Sequence, residues 1–181
     1  MLDPDLDRVL VDLRKGVSAH DLESQSLEFK EEEQDLKKSL GLIADAVVCF
    51  ANAEGGTIVV GVSNRPVGRG SSLLGVSVKL TADVLRRAVF DLTKPGLSVP
   101  VFEVDASGAR LLVLTVPEGA VFYSNSRGTA TRRVGSDCPP FTPEQQLQAA
   151  APVAGLTGQL IRLVSASKRH PLRSCNVFDA C

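Results

Sequence analysis

Two glutamates and a lysine near the start of the chain have the residue types and spacing for phosphate or metal chemistry. Glu28 and Lys30 flank Phe29 in a short strand pattern that begins at Leu27, and Glu23 stands five residues before Glu28. Side chains alternate along a strand, so Glu28 and Lys30 share one face while their apolar neighbours share the buried face. The pattern therefore predicts a carboxylate and an ammonium group together on one exposed site.

Four arginines join Lys30 as candidates for contacts with phosphate groups. Arg65 and Arg69 lie in a loop rich in Gly, Ser and Arg, where purely solvated arginines are the alternative. Arg132 and Arg133 fall on opposite faces of a predicted strand, Thr129 to Val134, so one is expected to be structural and the other to face a ligand. The predicted nucleic-acid contacts are Lys30, Arg65, Arg69, Arg132 and Arg133.

The side chains of Glu28 and Lys30 must be positioned by the elements around them. These are a strand, a long helix, a glycine turn and a second strand. Between Leu36 and Ala51 apolar residues recur at spacings of three and four, which predicts a helix with one apolar face against a sheet. Glu31 to Glu33 and Asp35 precede it, where carboxylates stabilise the positive end of the helix dipole. Two glycines then turn the chain into Thr57 to Val62, a β-branched run typical of a buried strand.

The sequence after this unit predicts a second helix, a hairpin and a third helix. A capping threonine opens the second helix, at about residues 81–92. Two strands follow, Ser98 to Val104 and Arg110 to Val116, joined by a turn of hairpin composition. The latter strand is apolar on both faces, which favours a place in the centre of the sheet. Thr142 and Gln145 form a capping-box pattern that opens a helix rich in Ala and Leu.

Five short segments, taken together and in order, resemble a known domain family. They are Glu23-x4-Glu28-Phe29-Lys30, Phe50-Ala51-Asn52-Ala53-Glu54-Gly55-Gly56, Gly61-Val62, Leu74-Gly75-Val76 and Arg133-Val134-Gly135-Ser136. Their order and spacing resemble the Schlafen AlbA domain family from roughly Asp21 to Leu147. The resemblance implies an AlbA-like fold of the kind that binds nucleic acid. It also implies that Arg133, in the family's Arg-x-Gly-Ser element, is the arginine that faces the ligand.

The predicted fold is α+β, an AlbA-like mixed sheet of five or six strands with two main helices, about 35–52 and 81–92, on one face. Extra helices are expected at both ends. The first of these has an apolar stripe that needs a partner surface, either its own domain or a second copy. The predicted domains are an N-terminal amphipathic helix in residues 1–20, the Schlafen AlbA-like domain in 21–147, and a C-terminal helix with a disordered tail in 148–181.

Three functions from different classes stay open on the sequence. The resemblance implies a nucleic-acid-binding domain, expected to act in a regulatory role such as transcription regulation, with DNA or RNA as partner. It also implies, as an alternative, a metal-dependent RNA nuclease, because some Schlafen proteins cut RNA with carboxylates at the positions of Glu23 and Glu28, and Lys30 stands beside them. The third alternative is a protein-interaction or homo-oligomerisation module, which the near-neutral charge and the apolar N-terminal helix favour.

One position argues against the nuclease. In nuclease-active Schlafen relatives a third carboxylate is the second acid of a Gly-Val-Asp-Asp run, and here the run reads Gly61-Val62-Ser63-Asn64. Asn64 keeps an oxygen ligand but lacks the charge on which magnesium binding depends. The resemblance and this departure together predict a non-catalytic protein without cofactor. A divalent metal on Glu23, Glu28 and Asn64 is expected only if the protein is a nuclease.

Composition bears on the cellular setting. The formal net charge is -1 and the isoelectric point is about 6.1, so any contacts with nucleic acid must come from a local patch. Four cysteines, at positions 49, 138, 175 and 181, show no metal-type spacing, so the sequence predicts neither a zinc site nor a disulfide and favours a reducing cytoplasm. The acidic start and the lack of a long apolar run predict no signal peptide and no membrane partner.

Overall fold

A mixed four-stranded sheet organises the part of the chain that the computed structural model describes, residues 4–63 and 72–150. Helices pack against this sheet, which confirms the predicted α+β class. In chain order the elements are α1 Pro4–Arg14, α2 Ala19–Leu22, β1 Leu27–Lys30, α3 Leu36–Ala51, β2 Gly56–Val60, α4 Ala82–Leu92, β3 Thr93–Lys94, β4 Val101–Ala106, β5 Ala109–Val116, β6 Ser124–Asn125 and α5 Pro143–Ala150.

The strand order of the sheet is β1-β2-β5-β4. β1 and β2 are parallel, with α3 as the crossover between them, and the other pairs are antiparallel. β5 lies in the centre, as its two apolar faces predict. A two-residue turn joins β4 to β5, and both of its residues, Ser107 and Gly108, have positive φ, 60° and 83°. Positive φ at both central positions gives a turn whose twist matches that of the flanking strands.

The prediction of five or six strands in one sheet is wrong for the described residues, where the main sheet has four. β3 and β6 form a separate two-stranded sheet. The predicted strand at Thr129 to Val134 is also absent, because Thr131 and Val134 make only isolated bridges, to Pro140 and Asp137. Proline has no N–H to donate to a ladder, and Gly135 turns the chain with a φ of +62°.

The two faces of the sheet are covered by different helices. α3 and α4 pack together on one face, which confirms the predicted placement of the two main helices. α1 covers the opposite face, where its buried side chains pack against Phe29, Val59 and Val113. Burial of each leucine of α1 contributes about 1.5 to 3 kcal/mol. The apolar stripe of α1, Leu6, Leu10 and Leu13, is thus used inside its own domain.

Helix ends follow the capping chemistry of the sequence, with one correction. Asp35 caps α3 by accepting from the Lys37 N–H at 2.9 Å, whereas Glu31 and Glu32 lie before the helix and cap nothing there. Their carboxylates instead accept from the hydroxyls of Ser63 and Ser77 at 2.9 and 2.8 Å. At α5, Thr142 and Gln145 cap each other as predicted: the Gln145 N–H donates to the Thr142 hydroxyl and the Thr142 N–H to the Gln145 side chain.

A disulfide joins Cys49 of α3 to Cys138, 89 residues later, so the prediction of no disulfide is wrong. Sequence spacing gives no signal for such a bond because distant cysteines are paired by the fold, here with their Cα atoms 5.8 Å apart. Within residues 4–63 and 72–150 no helix is long and apolar enough to cross a membrane. The predicted tail, from residue 151 onward, lies outside the described residues.

Candidate nucleic-acid interface

A buried ion-pair cluster lies at the edge of the sheet, where β1 places Glu28 and Lys30 on the same face. The Lys30 ammonium donates to one carboxylate oxygen of Glu28 at 2.5 Å, and the Arg133 guanidinium donates to the other. Glu28 is 6% exposed and Arg133 only 2%. The alternation along β1 correctly predicts that Glu28 and Lys30 lie together. The Glu28 carboxylate was expected to be exposed, and it is buried instead.

Arg133 is fully engaged inside the protein. Its guanidinium donates to the carbonyl oxygens of Ser24 at 2.8 and 3.1 Å, Leu27 at 3.0 Å and Ser136 at 2.9 Å, as well as to Glu28. Its charge also lies over the ring of Phe50, 4.8 Å from the centroid. A buried charge with every donor satisfied is a structural element. The expectation that Arg133 faces the ligand is therefore corrected: in this structure it is the structural member of the pair.

Arg132 is the exposed member of the pair. Its side chain is exposed, and its backbone N–H donates to the Pro139 carbonyl at 3.1 Å. The side chain makes no hydrogen bond or ion pair to the residues that the structure describes. Two depressions, of about 480 and 330 Å³, meet at Arg132 and Phe141, which line both of them. A guanidinium that is unpaired within residues 4–63 and 72–150 therefore lies between two small clefts.

An aromatic pair lies beside this guanidinium. The half-buried rings of Phe122 and Phe141 pack edge to face, with centroids 5.2 Å apart and planes at 77°. The contact with Phe122 supports the Phe141 ring and limits the orientations that it adopts. Cations next to aromatic rings suit the backbone and the bases of a single strand. Glu54 and Glu118 also line the clefts, so the local charge is mixed rather than uniformly positive.

Side-chain amides fix the segment that carries Arg132. Asn52 donates to the carbonyls of Tyr123 at 2.8 Å and Thr131 at 3.0 Å, and accepts from the Tyr123 N–H at 2.8 Å. Gln25 accepts from the Gly135 N–H at 2.8 Å and donates to the Arg133 carbonyl at 3.3 Å. The sequence predicts no role for either amide. The one sequence signal for Asn52 is its place in the Asn-x-Glu-Gly-Gly turn, whereas nothing in the sequence marks Gln25.

The described residues do not fit a divalent metal. Both carboxylate oxygens of Glu28 already accept from cations, and those two positive charges would repel a third. Glu23 lies 3.6 Å from the imidazole of His20. No group of three or more acidic, histidine or cysteine side chains within residues 4–63 and 72–150 is arranged to hold a metal ion. Asn64, the third predicted ligand, lies outside that part of the chain, as do Arg65 and Arg69.

The structure thus separates the predicted contact residues. Lys30 and Arg133 converge on Glu28, although the Lys30 side chain keeps 31% of its surface exposed. Arg132 is exposed to solvent. Of the five predicted contacts, only Arg132 is both described and unpaired within the described residues. The candidate interface is therefore the surface formed by Arg132, Phe141 and the two clefts that they share.

Comparison with known proteins places the fold and the family. The DIP2311 protein of Corynebacterium diphtheriae has a similar structure, with a TM-score of 0.55 and 24% identity over 70% of this chain and 24% of that one. The N-terminal domain of a RecG-related protein from Nitrosomonas europaea gives a TM-score of 0.41 at 24% identity, over 61% of this chain and 71% of that one. No curated protein matches. The model of the family described as "Schlafen, AlbA_2" matches residues 23–142, about two thirds of the chain, which therefore belongs to that family.

Proposed function

We propose that this protein is a single-stranded nucleic-acid-binding domain with a regulatory, non-catalytic role. The observation that carries the proposal is Arg132, an exposed guanidinium without a partner among the described residues, beside the supported ring of Phe141. The guanidinium would hold a backbone phosphate, and a base would stack on the ring. Membership of the Schlafen, AlbA_2 family supports the same direction, since the resemblance implies nucleic-acid binding.

A single strand suits this surface better than a duplex. A phenylalanine face recognises a base only when the base is unstacked, and the bases of a duplex are stacked on one another. The net charge of -1 gives no long-range attraction, so a few local contacts supply the affinity. Arg65 and Arg69 are proposed as additional phosphate contacts. Because so few contacts bind weakly, an assembly of several copies would bind more tightly, and we propose a homo-oligomer on that ground.

The non-catalytic part of the proposal is supported by the environment of Glu28. The Glu28 carboxylate already accepts from Lys30 and Arg133, whose positive charges would repel a metal ion, and Asn64 lacks the charge of the acid that it replaces. A protein that holds RNA or DNA without cutting it fits a regulatory role, for which transcription is one setting. We place it in the cytoplasm as part of the same proposal.

Binding measurements on the full chain test the first part. Fluorescein-labelled single strands and duplexes of RNA and DNA would be titrated with protein at a low and a high potassium chloride concentration. Arg132→Ala is expected to weaken binding to every single strand and to lower the salt slope by about 0.7. Arg87→Ala is the matched control, because Arg87 is an exposed arginine of α4 that lines neither cleft. Equal binding by wild type and Arg132→Ala would remove the proposed interface.

A cleavage assay tests the second part. The purified protein would be incubated with transfer and ribosomal RNA in the presence of manganese, and no cleavage is expected. Cleavage that Glu28→Gln abolishes would overturn the non-catalytic proposal. If Asn64→Asp gains such activity while the wild type has none, the missing charge at residue 64 is the reason for its absence.

A further inference from the structure

The Cys49–Cys138 disulfide lies directly beside the proposed interface. Cys138 belongs to the same segment as Arg132 and Phe141, and Val134, Pro139 and Pro140 of that segment line the larger cleft. The bond ties this segment to the buried helix α3 through Cys49. We infer that thiol–disulfide exchange at Cys49–Cys138 controls the affinity of the interface for single-stranded nucleic acid. This inference rests on the proposed function.

Exposure determines which sulfur an incoming thiolate attacks. Cys49 is completely buried, whereas Cys138 is exposed. A small thiol therefore reaches the bond from the side of Cys138. The remaining two cysteines, at positions 175 and 181, lie outside the described residues.

The exchange with a dithiol reductant balances in two steps. A thiolate of the reductant attacks Sγ of Cys138, the S–S bond breaks, and Cys49 leaves as a thiolate that takes up a proton. The second thiol of the reductant then attacks its own mixed-disulfide sulfur and releases Cys138 as a thiolate. Two electrons pass to the protein, and the reductant becomes a disulfide. In the present structure a guanidinium nitrogen of Arg133 lies 3.9 Å from Sγ of Cys138, where its positive charge stabilises that thiolate.

Reduction breaks the covalent link between α3 and a hairpin-like segment, residues 130–141. At its base the Arg132 N–H donates to the Pro139 carbonyl and the Phe141 N–H to the Ala130 carbonyl, at 3.1 and 3.0 Å. Arg133 and the amides of Asn52 and Gln25 hold the first half of the segment. The second half, which carries Cys138 and leads to Phe141, is hydrogen-bonded to the first half, and the disulfide is its direct covalent bond to α3. Reduction therefore loosens the wall that both clefts share.

The oxidised form is the tighter binder. With the bond closed, Arg132 and Phe141 are held in place before the ligand arrives, so binding orders fewer groups. Reduction is expected to weaken binding to a single strand about three- to tenfold, which is the cost of ordering one or two side chains again. By linkage, a bound strand favours the disulfide over the dithiol form by the same factor. In a reducing cytoplasm the bond would then form under oxidation, as expected of a redox-sensing disulfide.

Binding by the full chain in both redox states tests the inference. All proteins would carry Cys175→Ser and Cys181→Ser, so that only one pair of thiols remains. A fluorescein-labelled oligouridylate and the corresponding oligodeoxyuridylate serve as probes, before and after treatment with dithiothreitol. We expect the dissociation constant to rise about three- to tenfold on reduction. The control with Cys49→Ala and Cys138→Ala is expected to bind like the reduced form and to ignore dithiothreitol.

Folding is followed in the same samples by hydrogen exchange. The amides of β5 are expected to stay protected after reduction, while the turn amides of Val134 and Asp137, which bond to each other's carbonyls at 3.0 and 3.1 Å, are expected to exchange faster. Equal affinity in both redox states with faster turn exchange overturns the redox inference and leaves the proposed function standing. Loss of protection in β5 also overturns it, because weaker binding then reflects unfolding. Failure of both redox forms to bind either probe overturns the proposed function itself.

Discussion

Arg132 and Arg133 are adjacent in sequence, yet the fold gives them opposite environments. Arg133 is 2% exposed and donates to Glu28 and to three backbone carbonyls, whereas Arg132 is exposed and unpaired among the described residues. The resemblance attaches its motif to Arg133. A motif residue can thus hold the segment in place while its neighbour presents the charge. Which of two arginines faces the solvent is decided by the carbonyls around them.

The largest effect that separates the two arginines is on stability. Arg133→Ala is expected to lower the free energy of unfolding by about 3 to 5 kcal/mol, because it removes one partner of a buried ion pair and leaves three carbonyls without their donor. Arg132→Ala is the matched control and is expected to change it by less than about 0.5 kcal/mol. Guanidinium chloride denaturation of the oxidised proteins measures both. Similar values for the two variants would contradict the division into a structural and an exposed arginine.

A smaller loss of stability is expected at Asn52, which fixes the backbone just before both arginines. Asn52→Ala removes three hydrogen bonds, to Tyr123 and Thr131, and is expected to cost about 2 kcal/mol. Gln34→Ala serves as control, because Gln34 is exposed and makes no side-chain hydrogen bond to the described residues. If Asn52→Ala keeps full stability and full binding, the position of Arg132 does not depend on this amide.

Local patterns predict much of the framework, and long-range contacts decide the rest. The spacing in α3, the apolar β5 and the capping box of Thr142 and Gln145 are properties of neighbouring residues, and the structure has all of them. The alternation in β1 also places Glu28 beside Lys30 correctly. These features are readable because their physical causes act within a few residues of the chain.

The burial of Glu28 and the formation of the disulfide depend on residues that are far apart in the sequence. Arg133 reaches Glu28 across 105 residues, and Cys49 meets Cys138 across 89. The predicted strand at Thr129 to Val134 failed for the same reason: β-branched residues favour a strand there, but the partner segment contains Pro139 and Pro140 and offers no ladder. The candidate site is therefore the part of the molecule that the sequence predicts least well.

Aromatic stacking is expected at the surface of Arg132 and Phe141, and not at the buried Arg133. Phe141→Leu keeps an apolar side chain against Phe122 but removes the face on which a base stacks, so it is expected to weaken single-strand binding by about 1 to 3 kcal/mol. Duplex binding is expected to change little. Phe90→Leu, at an exposed phenylalanine of α4 that lines neither cleft, is the control. Equal losses for single strands and duplexes would show that the ring acts through the fold.

The smallest expected effect is a dependence of the stability of α5 on pH. The pKa of Glu144 lies below its ordinary value of 4.5, first because its own backbone N–H donates to the carboxylate and second because the Thr142 hydroxyl does. A carboxylate whose pKa is lowered by folding stabilises the folded state above the ordinary pKa. That contribution is lost as the pH falls through the folded value.

Glu144 lies in the first turn of α5, and its neighbour Gln145 lines the larger cleft, so the start of α5 is expected to loosen in acid. A side-chain NMR titration of Glu144 measures its pKa directly. Thr142→Ala is expected to return the pKa only part of the way towards 4.5, because the larger cause is the backbone N–H. Glu144→Gln is expected to remove the acid-dependent exchange of the first amides of α5. If that exchange persists in Glu144→Gln, another group controls the end of the helix.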